Sequence, residues 1–382
     1  MDINLLMNLF ENSDIGFFTG VPDSLLAKFC NYLMSHYGVN NQNHIVAHNE
    51  GGSVALASGY HFATGKVPCV YMQNSGIGNS LNPIVSLANQ KIYGVPMLFI
   101  IGWRGEPGTK DEPQHVLQGE ITLKLLSDME IDYFIVDKDT CFEQLEEIME
   151  HYRNLFSIGK SAALVVRKGA FSGSDYEYRN NYLFNREQAI QIIVEATSDD
   201  PIISTTGKIS RELYELRESR GDGHERDFLT VGSMGHNIMI ALGIAIQKPE
   251  HRIWCIDGDG AVLMHMGGMG IVGNQSPANF YHIVLNNVAH ETVGGMPTVA
   301  ESIDFIEIAR ACGYNYVYKA HDAVSLNTVL DQAKHQKGPV FIEVLVALGS
   351  RPDLGRPKTT TMHNKLDFMR FLSNTEENGC VE

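Results

Sequence analysis

The chain has 382 residues, 44% hydrophobic and 19% charged, with 45 acidic against 29 basic side chains and a formal charge of −16. That length suits two domains of roughly 150–200 residues, each able to bury its own core. The acidity excludes a nucleic-acid backbone or an anionic membrane surface as the main partner, so any bound anion must be met by local donors.

Taken in chain order, buried strands are predicted over Ile15–Phe18, Val67–Met72, Met97–Ile101 and Ala162–Val166, with helices over Ser24–Met34 and Gly52–Thr64. Residues Lys168–Asn181 are polar, rich in Gly and Ser, and unpatterned, which reads as a linker. Strands then recur near Pro201–Ser204, Ile253–Ile256, Tyr281–Leu285 and Val340–Val346. Each half also has a glycine-rich turn opening a helix, Asn74–Ser80 and Val231–Asn237. The pattern predicts an α/β fold of two doubly wound parallel-sheet domains, residues 1–168 and 185–382, joined by a linker at 169–184.

The most apolar stretch, Tyr93–Trp103, is half a membrane span, and Met1-Asp-Ile-Asn lacks the basic region of a signal peptide. Cys30, Cys69, Cys141, Cys255, Cys312 and Cys380 lie far apart with no CxxC pair. A cytoplasmic location without a disulfide framework or zinc site is therefore expected. The pair His44 and His48 has i,i+4 spacing, but its β-branched interior reads as strand and no HExxH glutamate accompanies it.

The sharpest segment is Ile253-Trp-Cys-Ile-Asp-Gly-Asp-Gly-Ala261, followed about 25 residues later by Leu285-Asn-Asn-Val-Ala289. A strand running into Gly258-Asp259-Gly260 puts a carboxylate at a sheet edge, where the helix opening at Gly260-Ala261 offers free N–H groups to an anion. A second strand delivers Asn286 and Asn287 to the same edge. Carboxylate, amide and carbonyl oxygens are hard ligands suited to Mg²⁺ or Ca²⁺ with phosphate oxygens. An EF-hand fails, because Val262 stands where its glycine belongs and Gly268 where its glutamate belongs; no GxxxxGK[ST] loop occurs either.

Gly-Asp-Gly, about 25 residues and Asn-Asn, each after a strand, together resemble the motif of the thiamine-diphosphate-dependent decarboxylases. The resemblance implies that Asp259, the Asn287 side chain and the Ala289 carbonyl bind Mg²⁺, with Gly258, Gly260 and Ala261 near the diphosphate. It also demands a glutamate for N1′ of the cofactor's aminopyrimidine, and His48-Asn-Glu-Gly-Gly-Ser-Val-Ala-Leu-Ala-Ser-Gly-Tyr60 offers Glu50. Gly232-Ser233-Met234-Gly235 resembles the segment in which an apolar side chain props the thiazolium and a carbonyl holds the 4′-amine. Ser204-Thr205-Thr206-Gly207 suits the diphosphate.

Within that family, Phe18–Leu25, Ser204–Leu213, Asn286–Thr298 and Ser350–Pro357 resemble enzymes acting on phosphonopyruvate, along nearly the whole chain and without a middle domain. One departure is Val288, where such enzymes often have glycine. The implied reaction releases CO₂ and phosphonoacetaldehyde from a small anionic 2-oxo acid. Asp23, His115 and His290 are the candidates for returning a proton, although Asp23 equally suits capping a helix from Ser24. Lys208, Arg211, Arg104, Arg351 and Arg356 form the pool for the phosphonate. The resemblance further implies a homodimer or larger assembly with the active site at the subunit interface. Alternatives left open are sulfopyruvate decarboxylation, carboligation, and cofactor binding without catalysis.

Overall fold

The computed structural model describes residues 1–39 and 41–374. The chain divides into two compact units. The first is Met1–Tyr178 with Thr292–Pro297, and the second is Arg179–Glu291 with the chain from Thr298 onward. The first division falls inside the stretch read as a linker.

In unit 1 the helices are α1 (Ile3–Asn12), α2 (Ala27–Tyr37), α3 (Glu50–Thr64), α4 (Ile77–Pro83), α5 (Pro113–Asp128) and α6 (Phe142–Ser157). Its strands are β1 (Phe18–Gly20), β2 (His44–Val46), β3 (Cys69–Gln73), β4 (Leu98–Gly102), β5 (Asp132–Val136) and β6 (Ala162–Val166). They form one parallel sheet in the order β2-β1-β3-β4-β6-β5. Alternation along β4 explains the two-faced core. Leu98 and Ile100 enter one apolar cluster with Phe18, Phe29 and Leu164, while Phe99 and Ile101 enter another with Val54, Val70 and Val165.

Unit 2 holds helices α7 (Arg186–Thr197), α8 (Lys208–Arg220), α9 (Asn237–Gln247), α10 (Asp259–Met264) and α11 (Gly267–Gln275), then α12 (Phe305–Cys312), α13 (Ala323–Lys334) and α14 (Thr361–Asn374). Its strands are β7 (Ile202–Ser204), β8 (Asp227–Leu229), β9 (Ile253–Gly258), β10 (Phe280–Asn286), the two-residue β11 (Ala289–His290), β13 (Tyr316–Ala320) and β14 (Val340–Leu345); the two-residue β12 (Met296–Pro297) lies in the segment that belongs to unit 1. The six longer strands form a parallel sheet ordered β13-β14-β10-β9-β7-β8.

Two differences from the sequence reading have physical causes. The first strand is Phe18–Gly20 rather than Ile15–Phe18, because the apolar run begins before the ladder: Ile15 and Phe17 are buried, yet Phe18 is the first residue paired with β2 and β3. The strands of the two six-stranded sheets that the pattern missed, β5, β8 and β13, are all sheet edges. β5 and β13 are partly exposed along their length and so lack the continuous apolar run of a central strand.

In the two sheets the chain starts out in opposite directions from β1 and β3, and from β7 and β9, so the order reverses between those neighbours. Ligands of open α/β sheets bind beyond the strands' C-terminal ends at such a switch point. Those ends carry Asp23 and Asn74 in unit 1, and Thr205-Thr206-Gly207 and Asp259 in unit 2.

Candidate active site

In unit 1, Glu50 lies in the first turn of α3, which starts two residues earlier than predicted because the Asn49 side chain caps it, accepting from the Gly52 N–H at 2.7 Å. The Glu50 carboxylate is buried and accepts a hydrogen bond from Asn79 Nδ2 at 2.8 Å. Gly76 lies against it so closely that a Cβ there would fall 2.4 Å from Glu50 Cγ. The 74–80 turn therefore shapes the carboxylate's seat. The same turn holds the next loop, since the Asn74 amide bonds both the N–H and the carbonyl of Arg104. Nothing in the sequence pattern singled out Gly76 or Asn79; their signal was the glycine-rich turn itself.

Asp23, Arg104 and His115 are neighbours. Asp23 caps the short 3₁₀ turn Ser24–Leu26 through Oδ2, which accepts from the Leu25 N–H at 3.1 Å, while its buried Oδ1 has no partner. The capping reading of Asp23 is thus observed, with its second carboxylate oxygen left buried beside it. Burial pushes its carboxyl up to about 6, against the pull of Arg104 and two N–H groups. Arg104 is held by Asp111 and donates to Ser24 Oγ at 3.2 Å. His115 is part of a helix. It sits in the first turn of α5, where Pro113 opens the helix, and it is buried with Nδ1 unpartnered. Burial, helped by Arg104, lowers its pKa and favours the neutral ring.

In unit 2 the parallel register is decisive. Leu285 pairs with Gly258, so the residues that follow, Asn286-Asn287 and Asp259, leave one sheet edge together. Asp259 opens α10 one residue before the expected start. Its carboxylate accepts from Thr298 Oγ1 at 2.6 Å and from the Asn287 N–H. Burial pushes it up to about 6 despite these donors. Asn287 Oδ1 accepts from the Ala289 N–H at 3.1 Å. Val288, between them, is buried with φ +54°, a left-handed conformation unfavourable for a β-branched residue.

The remaining cofactor candidates border this edge. Gly232 N–H donates to Thr206 Oγ1 at 3.0 Å, tying the Gly232–Gly235 segment to the turn after β7. Gly207, Gly232, Ser233 and Gly235 all have positive φ. The Thr205 N–H is taken by the Ile256 carbonyl at 2.8 Å, so its main chain belongs to the sheet. A Cβ on Gly260 would meet His290 Nδ1 at 2.9 Å and Met234 Cε at 3.3 Å, so this helix start is open only to a glycine. His290 is buried, its pKa lowered to about 4 by that burial.

The substrate pool is sorted by counter-charge. Arg351 faces Glu187, Glu215 and Asp353 at once. Lys208 meets Glu291 at 2.8 Å. Arg211 is half-buried on α8 and Arg356 is exposed. Among the described residues, Cys255, Asp257 and His282 form a buried group with metal-capable atoms, which the cysteine spacing did not anticipate. Asp257 Oδ2 accepts from the His282 ring at 3.2 Å and from Cys255.

A family model described as the N-terminal TPP binding domain of thiamine pyrophosphate enzymes matches residues 4–128, and one for the C-terminal TPP binding domain matches residues 205–344. The chain belongs to the thiamine pyrophosphate enzymes. It is 33% identical over 371 residues to a protein of Streptomyces viridochromogenes named phosphonopyruvate decarboxylase, covering 93% of this chain and 90% of that one. A protein of the same name from Streptomyces hygroscopicus is 32% identical over 376 residues, with the same coverage. A sulfopyruvate decarboxylase subunit beta from Methanothermobacter thermautotrophicus is 37% identical over 168 residues, 44% of this chain and 85% of that one. The decarboxylase is thus a carboxy-lyase using thiamine diphosphate, and among its described residues no helix is long and apolar enough to cross a membrane.

The residues suit that cofactor and a divalent ion. A buried carboxylate pushed up by desolvation calls for a cation, the adjoining oxygens are hard donors, and glycines 235 and 260 leave backbone space that a Cβ would fill.

Proposed function

We propose that this decarboxylase converts 3-phosphonopyruvate to phosphonoacetaldehyde and CO₂, a step of phosphonate biosynthesis in the cytoplasm, using thiamine diphosphate bound through Mg²⁺. The observation that carries the site is the shared sheet edge of Asp259 and Asn287. Support for the substrate comes from the two Streptomyces relatives, which parallel the chain over nine-tenths of its length. When bound, thiamine diphosphate supplies the carbon nucleophile and the electron sink for CO₂ loss.

The chain's own residues do the rest. Asp259, the Asn287 amide oxygen and the Ala289 carbonyl would hold Mg²⁺, and Thr206, Gly207 and Ser233 would face the diphosphate. Glu50, kept in place by Asn79, presents a carboxylate for the aminopyrimidine. Met234 and the Gly232 carbonyl would set the cofactor's bend. Of the proton candidates, Asp23 is favoured, because burial lets its free oxygen keep a proton near pH 6 while His115 is held neutral. For the phosphonate, Lys208 is favoured over Arg351, whose three carboxylates compensate its charge. Glu50 and Asp259 belong to different compact units, which suits an active site completed between two subunits. Full activity in a sedimenting monomer would refute that assembly.

A second reading, sulfopyruvate decarboxylation, is favoured by the archaeal subunit's identity. Decarboxylation assayed with phosphonopyruvate, sulfopyruvate and pyruvate side by side, with thiamine diphosphate and Mg²⁺ present, tests both. Phosphonopyruvate is expected to have the highest kcat/KM, and a higher value for either competitor overturns the proposal.

A further inference from the structure

Just past the Asn287 turn, Glu291 draws together residues from three places in the chain. Its Oε1 accepts from Lys208 Nζ at 2.8 Å; its Oε2 accepts from Asn287 Nδ2 at 2.8 Å and also faces Arg186. Arg186 is buried and makes a bidentate pair with Glu212, with Nε–Oε2 at 2.8 Å and Nη2–Oε1 at 2.7 Å. Two cations, Arg186 and Lys208, therefore flank the Glu291 carboxylate.

An asparagine ligand has a problem that aspartate lacks. Its oxygen and nitrogen are nearly the same size, and only the oxygen can bind a hard cation. An ionised carboxylate accepts hydrogen bonds and donates none. With Nδ2 on Glu291, a flipped amide would set oxygen against oxygen, and two cations hold Glu291 where it is. Asn286 is locked the same way, its Nδ2 donating to Glu343 Oε1 at 2.8 Å.

We propose that Glu291 is a positioning residue that fixes the Asn287 amide with its oxygen toward the divalent cation. The inference rests on Asp259 and Asn287 forming the metal site. Outer partners of metal ligands typically set about 10- to 100-fold in affinity.

The test is Mg²⁺ titration of the full chain with thiamine diphosphate present, read by calorimetry. Glu291→Gln, whose amide can face Asn287 either way, is expected to weaken Mg²⁺ about tenfold or more, and excess Mg²⁺ should restore turnover. Glu291→Asp retains the charge for Arg186 but falls short of Asn287, so it should weaken Mg²⁺ several-fold; it carries the test if the Gln variant does not fold. Glu212→Gln disturbs Arg186 from the other side and should lower Tm while leaving Mg²⁺ affinity within about twofold. In an Asn287→Asp background, which has no amide to orient, Glu291→Gln should no longer weaken binding. Equal losses in Glu291→Gln and Glu212→Gln would overturn the proposal, since they would mark a purely structural role. So would unchanged affinity in Glu291→Gln when Asp259→Asn abolishes binding. If Asp259→Asn itself leaves Mg²⁺ affinity unchanged, the metal-site reading fails and the inference falls with it.

Discussion

The two units share a sheet plan and differ in how they prepare its switch point. Unit 1 places functional groups with side chains: Asn79 on Glu50, Asn74 on the Arg104 main chain, Asp111 on Arg104. Unit 2 places them largely with backbone, through positive-φ residues at Gly207, Gly232, Ser233, Gly235 and Val288. The difference follows from the task proposed for each. A carboxylate that handles a proton needs an aimed side chain and a dry setting, whereas a diphosphate and its cation need main-chain dipoles at close range.

The comparison is broken most severely at Asp259. Asp259→Ala should reduce Mg²⁺-dependent cofactor affinity on the order of 10³-fold, beyond the effect of an outer partner, as read by cofactor titration; retained affinity would mean that backbone alone holds the anion. Glu50→Gln should separate the two tasks. Its kcat is expected to fall by roughly 10²- to 10⁴-fold, with cofactor affinity within about tenfold, and unimpaired turnover would end the proposed role.

Asp23 sharpens the side-chain half of the contrast. Its folded pKa, about 6, lies above the ordinary 3.8, so the folded state binds this proton more tightly than the unfolded chain. The stability it contributes is full below pH 3.8 and is lost as pH rises through 6. Asp23→Asn should therefore stabilise by on the order of 2–3 kcal/mol at pH 8 and little at pH 4. Denaturant unfolding at both values measures this, and a gain of equal size at both would be contrary. The smallest effect is expected at Val288. A buried Val→Gly change ordinarily loses about 2–3 kcal/mol of burial and adds backbone entropy. Relief of the left-handed strain, ~1–3 kcal/mol, should offset most of that and hold the loss within about 1 kcal/mol. A loss of 3 kcal/mol or more would show that the backbone turn is not strained.

What was legible in the sequence follows the same division. Central strands could be read from their apolar runs, Gly-Asp-Gly and the Asn pair from the strands that precede them, and Glu50 as a candidate only through the resemblance that calls for a glutamate. Edge strands such as Asp132–Val136 could not, because partial exposure removes the apolar signal. Asn79 and Thr298 were hidden for another reason: each meets its carboxylate across more than 25 residues of chain, and asparagine or threonine alone signals nothing. The fate of the arginines was likewise invisible, since Arg351's three acidic partners come from separate segments. Val288 was visible only as a departure from an expected glycine. Its positive φ explains why glycine suits that position.

The separation of Gly-Asp-Gly from Asn-Asn is the length of one crossover, α10 and α11 followed by the return strand β10. Ladder pairing from Phe280↔Ile253 to Leu285↔Gly258 aligns the two ends whatever the path between them. The interval is therefore elastic in one place and rigid in another. Added residues at the exposed Gln275-Ser276 corner would lengthen the detour and leave the Gly258 and Leu285 ends opposed. A single deletion inside Tyr281–Leu285 would slip the register, moving Asn287 into the place of Asn286 and Val288 into the place of Asn287.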